Sequence, residues 1–104
     1  MSFADRVYFF IQKIPSGRVT TYGLVAKRLG NFNLSRAVGL ALKQNKRSFL
    51  ASVKNCIPCN RVVCADGRLG GFNGGVSQKR LLLLREGVVV KKGRVDLKKY
   101  LFKF

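Results

Sequence analysis

The chain has 104 residues, of which 47% are apolar, and this suits one domain with a hydrophobic core. Its 21 lysines and arginines outnumber 4 acidic residues, so the net charge is +17. Such a charge predicts a polyanionic partner, with nucleic acid favoured over an anionic membrane surface.

Helical spacing predicts three helices in the first half of the chain. The first covers "SFADRVYFFIQKI", with Ser2 as its cap and a Pro-Ser-Gly stop after it. The second runs through "YGLVAKRLG" after a pair of threonines, and the third through "SRAVGLALKQN". A tight turn at Gly30 and Asn31 joins the last two, which predicts a helix-turn-helix.

The second half mixes irregular segments with one more helix. We expect irregular or briefly extended chain from "KRSFLASVKN" up to Cys64, a glycine-rich loop in "DGRLGGFNGG", and a fourth helix in "VSQKRLLLLRE" that ends at Gly87. The four leucines of that helix predict deep burial. The segments "VVVKK" and "VDLKKYLF" predict a hairpin. The expected fold is mainly α with minor β, a single helix-turn-helix or winged-helix-like DNA-binding domain over residues 1–104 with a small C-terminal β-hairpin.

The third helix contains an unexpected glycine, Gly39. Glycine inside a helix costs up to ~1 kcal/mol relative to alanine, so its presence needs a reason. One explanation is close packing against another helix. The other is close approach to DNA, because a helix entering the narrow minor groove needs small side chains on its facing side. The sequence leaves both open.

The three cysteines lie close together, in "NCIPCNRVVC". Three cysteines without a histidine do not complete a zinc site, so we expect no metal and no cofactor. No signal peptide or spanning segment is evident, and we therefore expect an intracellular protein with reduced thiols. Cys56 and Cys64 are best explained as buried packing residues. Cys59 differs because Arg61 and the positive surroundings favour its thiolate form.

The segment "IPCNRVVCADGRLGGFNGG" resembles the active-site segment of the O6-alkylguanine-DNA alkyltransferases, whose usual core is Pro-Cys-His-Arg-Val. Four other segments agree in order, including "GRVTTYGLVAKRLG", "SRAVGLALKQN" and "LLLLREG". The resemblance covers about residues 3 to 90. It implies a catalytic and DNA-binding domain without the family's usual N-terminal domain. It also implies a monomer that binds double-stranded DNA in the minor groove, with no membrane partner.

The resemblance also implies individual roles. Cys59 matches the cysteine that takes the alkyl group, and the implied catalytic residues are Cys59, Asn60 and Glu86. Tyr22 would help rotate the damaged nucleotide, and Arg36 would fill the gap that the nucleotide leaves. The implied DNA-binding residues are Tyr22, Arg36, Ala37, Gly39 and Arg61. The implied pocket for the flipped base comprises Asn45, Val62, Phe72, Asn73 and Gly74.

Two features depart from the family pattern. Asn60 stands where the family has a histidine that passes a proton from the cysteine through water towards the glutamate. An amide can orient water but cannot accept a proton at neutral pH. The segment "KRSFLASVKNC" is also longer than the usual connection. Glu86 itself has two interpretations: an ion pair with Arg85 or Lys79, or a buried position near Arg61 or Asn60.

The resulting functional prediction is DNA repair by irreversible, single-turnover transfer of an alkyl group from O6-alkylguanine to Cys59 after base flipping. The alternative is a sensor that binds the lesion and recruits other repair proteins. Related alkyltransferase-like proteins lack the cysteine, which favours the transfer reaction here. A plain architectural DNA binder is a third possibility, in which Cys59 would be incidental.

Overall fold

The first helix begins where the sequence predicts. The structure is a computed structural model that describes residues 2–43, 58–70 and 75–102. In it, helix α1 spans Phe3–Ile11, and the Ser2 hydroxyl caps it by accepting a hydrogen bond from the Asp5 backbone N–H at 3.1 Å. Its inward face buries Val7 and Ile11 completely.

The helix-turn-helix follows a short strand. Strand β1 is Thr20–Thr21, helix α2 is Tyr22–Arg28 and helix α3 is Ser35–Lys43, with a 3-10 turn at Phe32–Leu34 before α3. The Thr21 hydroxyl caps α2 by accepting from the Leu24 N–H at 3.2 Å. Gly30 ends the helix with φ of +126°, a value that favours glycine.

A parallel strand pair, which the sequence did not predict, fixes the cysteine segment against this unit. Residues Cys59–Arg61 form a 3-10 turn, and Val62–Val63 form strand β2. Strand β2 pairs with β1 in parallel, with Thr20 opposite Val62 and Thr21 opposite Val63. The chain therefore brings the start of α2 beside the segment that follows Cys59.

Helix α4 spans Val76–Arg85, and its leucine run is only half buried. Leu82 and Leu83 lie in the core, whereas Leu81 and Leu84 are 54% and 42% exposed. Four consecutive helical residues must point to several sides, because a helix turns once in about 3.6 residues. The predicted deep burial of all four leucines is therefore wrong.

The C-terminal hairpin is confirmed, but its second arm is shorter than predicted. Strands β3, Val90–Lys91, and β4, Arg94–Val95, pair in antiparallel fashion. The segment "VDLKKYLF" does not continue as a strand, because helix α5 forms at Leu97–Tyr100. Asp96 starts that helix by accepting the Lys98 N–H at 3.0 Å, a cap that favours a helical turn over extended chain.

Two hydrophobic clusters hold the fold together. The first joins the inner faces of α1, α2 and α3 to Cys59, Val62 and Leu82. The second lies under the hairpin and joins it to Val19, Val63 and Leu83. The predicted fold class is confirmed: mainly helical, with small sheets. None of the helices in the three described ranges is long and apolar enough to cross a membrane.

Candidate active site and nucleic-acid interface

Cys59 lies at the junction of the 3-10 turn and the core. Only 3% of its surface is exposed, and it packs within the first hydrophobic cluster. The turn is held by a hydrogen bond from the Arg61 N–H to the Pro58 carbonyl, at 3.0 Å. Pairing of β2 with β1 then places this turn near Tyr22. The fold thus gives the thiol a fixed position.

Asn60 and Arg61 both bind the carboxylate of Glu86. The Asn60 side-chain amide donates to Glu86 Oε1 at 2.9 Å, and Arg61 Nε donates to both carboxylate oxygens at 3.0 Å. Arg61 Nη2 forms a further ion pair with Glu86 Oε2. Glu86 ends α4, where a negative charge is unfavourable, and these donors offset that cost. Of its two interpretations, the buried position near Arg61 and Asn60 is the one observed.

This geometry speaks against the predicted DNA contact of Arg61. Besides its bonds to Glu86, its Nη1 donates to the Ile14 carbonyl at 2.8 Å, and the side chain is only 19% exposed. The guanidinium is therefore engaged inside the protein. Its charge is also balanced by the carboxylate, so Arg61 contributes less to the positive field at Cys59 than its position in the sequence suggests.

Lys79 is the functional candidate that the sequence analysis missed. It is fully buried in α4, and its Nζ donates to the Leu69 carbonyl and to the Tyr22 hydroxyl, the latter at 3.3 Å. Burial lowers the pKa of Lys79 to about 8, while the thiols of Cys64 and Cys59 act to raise it. Coulombic coupling is mutual, so the Lys79 ammonium favours the thiolate form of Cys59.

The Tyr22 hydroxyl belongs to the same cluster. Burial, followed by the charges of Cys64 and Cys59, raises the pKa of Tyr22 to about 12. The phenol therefore keeps its proton at neutral pH. A neutral hydroxyl beside an ammonium and two thiols can donate a hydrogen bond to an incoming base or phosphate.

A pattern in the sequence could have identified Lys79. One face of the predicted helix carries, at helical spacing, Lys79, Leu82, Leu83 and Glu86. The structure confirms that the lysine and both leucines are buried. A lysine on the inward face of a helix is rarely buried without a function or a partner. The neighbouring run of leucines obscured this spacing.

A second feature is the groove beside α3. It has a volume of about 340 Å³ and is lined by Tyr22, Ser35, Arg36, Gly39 and Lys43. Arg36 is exposed, whereas Ala37 is half-buried on the same helix. A Cβ added at Gly39 would lie 3.9 Å from the Tyr22 ring, which is ordinary contact distance. Close packing does not require this glycine, so the packing explanation of Gly39 loses its support.

The predicted base pocket is only partly described. Val62 is fully buried in the core, so only its backbone is placed to face an open pocket, and its position beside the flipped base stays a prediction. The other predicted pocket residues lie outside the described ranges, as do Cys56 and the longer connecting segment. These residues are Asn45, Phe72, Asn73 and Gly74.

Comparison with known families decides where the chain belongs. The family model for the DNA-binding domain of 6-O-methylguanine DNA methyltransferase matches residues 2–88. The chain is a member of this family. The resemblance noted in the sequence is thereby confirmed.

Curated relatives carry names that agree with this family. The chain is 40% identical over 96 residues to a bifunctional methyltransferase/endonuclease of Picrophilus torridus, covering 92% of this chain and 30% of that protein. It is 42% identical over 85 residues to a methylated-DNA–protein-cysteine methyltransferase of Methanosarcina acetivorans, covering 82% and 51% respectively. The chain thus spans about half or less of the length of these relatives.

Two solved structures of family members resemble the fold. S. pombe Atl1, in complex with damaged DNA containing O6-carboxymethylguanine, superposes with a TM-score of 0.83 at 27% identity, covering 98% of this chain and 95% of Atl1. Mycobacterium tuberculosis OGT, in complex with DNA, superposes with a TM-score of 0.72 at 37% identity, covering 84% and 49%. Both similarities extend over most of this methyltransferase-family domain.

Proposed function

We propose that this protein repairs DNA by transferring an alkyl group from the O6 atom of guanine to Cys59. The observation that supports this proposal is the buried thiol of Cys59, which is held in a 3-10 turn and interacts electrostatically with the ammonium of Lys79. A buried cation that interacts electrostatically with a thiol favours the thiolate, which is the nucleophilic form of cysteine. Family membership and the names of the relatives support the same chemistry.

The reaction is a single displacement. The Cys59 thiolate attacks the alkyl carbon, and a sulfur–carbon bond forms as the carbon–O6 bond breaks. The electron pair of the broken bond stays on guanine, which takes up the proton that the thiol has lost. The thioether product has no good leaving group, so one protein molecule repairs one lesion.

Activation of the thiol does not need a histidine in this arrangement. Asn60 cannot accept a proton, and the Glu86 carboxylate is already bound by Asn60 and Arg61. Lys79 acts instead by charge, because an ammonium in a site of low polarity stabilises an adjacent thiolate more than it would in water. We therefore assign Lys79 to thiolate stabilisation, and Glu86 and Asn60 to positioning of the turn.

The DNA-binding face is the groove beside α3. Exposed Arg36, the small surface of Gly39 and the Tyr22 ring lie together there. A helix with small residues fits a minor groove only ~6 Å wide, and an arginine beside it can enter the space left by a flipped base. The net charge of +17 supplies general affinity for the duplex.

Mass spectrometry tests this proposal directly. After incubation with a duplex carrying one O6-methylguanine, the intact protein should gain the mass of one methyl group, and digestion should locate it on Cys59. Cys64→Ser should still gain the methyl group. Cys59→Ser should bind the duplex with no gain in mass, because a serine hydroxyl is far less ionised than a thiol. A methyl group on Cys64 would overturn the assignment of the nucleophile.

A second candidate function is recognition of the lesion without chemistry. It is favoured by the superposition on nearly the whole of S. pombe Atl1, and by Asn60 in place of the family histidine. A lesion sensor would bind duplexes with O6-methylguanine more tightly than undamaged duplexes, yet would gain no mass at any pH. The same incubation, repeated alongside binding measurements, separates the two functions.

A further inference from the structure

The C-terminal element presents a cationic surface that lies outside the matched family domain. The match ends at residue 88, whereas strands β3 and β4 and helix α5 follow it. The exposed cations of this element are Lys91, Lys92, Arg94, Lys98 and Lys99. Within the described part of the chain, none of these five forms an ion pair.

Three of these cations surround a shallow cavity. The cavity measures about 180 Å³ and is lined by Lys91 of β3, Arg94 of β4 and Lys99 of α5, together with Val89, Asp96 and Tyr100. The Asp96 carboxylate accepts the Lys98 N–H at 3.0 Å as the cap of α5. Three cations and one capping carboxylate therefore line the cavity, and the carboxylate of Asp66 also interacts electrostatically with Arg94. Positive charge still exceeds negative charge, so the cavity favours an anion.

The cavity is held rigidly by backbone bonds to the rest of the fold. The Val95 N–H donates to the Gly67 carbonyl at 2.8 Å, and the Val19 N–H donates to the Tyr100 carbonyl at 2.9 Å. Arg18 Nη1 adds a bond of 2.6 Å to the Lys99 carbonyl. A Cβ added at Gly67 would lie only 2.4 Å from the Val95 carbonyl oxygen, so the hairpin depends on a glycine at that position. These bonds fix the backbone positions from which Lys91, Arg94 and Lys99 project, so the three cations stay on one face of the element.

We propose that the surface formed by Lys91, Arg94 and Lys99 binds phosphate groups of the DNA backbone, at a site separate from the groove beside α3. It packs on the second hydrophobic cluster, whereas the α3 groove is built on the first. The inference extends the proposed DNA partner, on which it rests, but not the alkyl transfer. Phosphate contacts of this kind fix the register of a protein on a duplex and carry no sequence information.

Nucleic acid fits this surface better than a membrane does. Membrane-surface binding relies on an amphipathic helix with a broad apolar face, and α5 has only 4 residues. The cavity lies between the strands and the helix, and its three cations can contact a projecting phosphate. Tyr100, which supplies apolar surface to the cavity, is itself 8% exposed.

The test uses undamaged duplex, so that it does not depend on repair. The long axis of 34 Å covers ~10 base pairs at about 3.4 Å each, and a duplex of ~20 base pairs therefore accommodates both surfaces. Affinity is measured by fluorescence anisotropy over a range of salt concentrations. The test variant combines Lys91→Ala, Arg94→Ala and Lys99→Ala. The control removes the same charge from exposed positions elsewhere, by Arg6→Ala, Lys13→Ala and Arg85→Ala.

The two variants should differ in salt dependence. Each lost phosphate contact reduces the slope of log affinity against log salt by ~0.9, so the test variant should lose about 2–3 units and bind at least ~10-fold more weakly at low salt. The control should lose less than ~1 unit. A charge-conserving variant with Lys91→Arg, Arg94→Lys and Lys99→Arg should keep the natural slope, and thermal melting verifies that all variants fold.

Two results would overturn the inference. Equal slopes for the test and control variants would mean that only overall charge matters. If the test variant lost binding to phosphatidylserine vesicles but bound the duplex as the natural protein does, the surface would be assigned to a membrane. Failure of the natural protein to bind any duplex would instead reject the proposed function itself, and the two failures are thus distinguishable.

Discussion

Substitution of Gly39 by alanine should change stability and DNA binding in opposite directions. Gly39 lies inside α3, and its added Cβ would make ordinary contacts of 3.9 Å with the Tyr22 ring. Because alanine favours a helix over glycine by up to ~1 kcal/mol, Gly39→Ala should raise the free energy of unfolding by about that amount. The same methyl group projects into the groove proposed to face DNA. A tightly packed interface tolerates such an addition at a cost of about 1–3 kcal/mol, or roughly 5- to 150-fold in Kd.

The assay pairs urea unfolding with anisotropy measurements on a duplex. Gly23→Ala is a matched control, since Gly23 also lies inside a helix and its Cβ would meet the Phe32 ring at 3.7 Å. The control should gain similar stability without losing affinity. A loss of more than ~1 kcal/mol in Gly39→Ala would restore the packing explanation. Unchanged affinity would show that DNA does not approach α3 at this position.

Three further predictions concern the site. Arg36→Ala should slow repair more than it weakens binding to undamaged duplex, because the arginine enters the base stack only after the damaged base has flipped out. Single-turnover rates would measure repair, and anisotropy would measure binding. Between pH 8 and 10.5, Lys79 loses its proton in the folded protein but keeps it in the unfolded chain. The free energy of unfolding should therefore rise with pH by up to about 3 kcal/mol. Lys79→Met should abolish that rise in urea unfolding and slow alkyl transfer; persistence of the rise would assign it to another group. Asn60→His should raise the single-turnover rate near neutral pH and flatten its increase with pH, and Glu86→Gln should reduce that rate more in the Asn60→His background than in the natural protein.

The sequence predicted the helices because their signals are local. Each signal acts within a few residues: the cap at Ser2, the apolar spacing of α1, and the positive φ of Gly30, which ends α2. The parallel pairing of β1 with β2 has no such signal. Each strand has 2 residues, too few for alternation to appear, and their pairing depends on the folded chain.

Site residues were harder to predict because their partners are distant in sequence. Arg61 and Glu86 are separated by 25 positions, and in a chain with 21 cations an arginine near Cys59 is readily taken for a DNA contact. Lys79 and Tyr22 are separated by 57 positions. Their coupling to Cys59 requires both the strand pairing and α4 to be in place. Composition therefore identified the partner class but not which cations face it.

The hydrogen bond between Asn60 and Glu86 explains how the turn can keep its shape without the family histidine. A ring N–H at this position could bind Glu86 as the Asn60 amide does, so the substitution preserves the link to α4 while removing the proton acceptor. Arg61 holds the same carboxylate from its other side, which makes Glu86 an anchor for the turn. In the proposed mechanism, the remaining influence on thiol ionisation is electrostatic and comes from Lys79. Under this division of roles, the turn should keep its position in Asn60→His, while the transfer rate near neutral pH rises and its increase with pH becomes flatter.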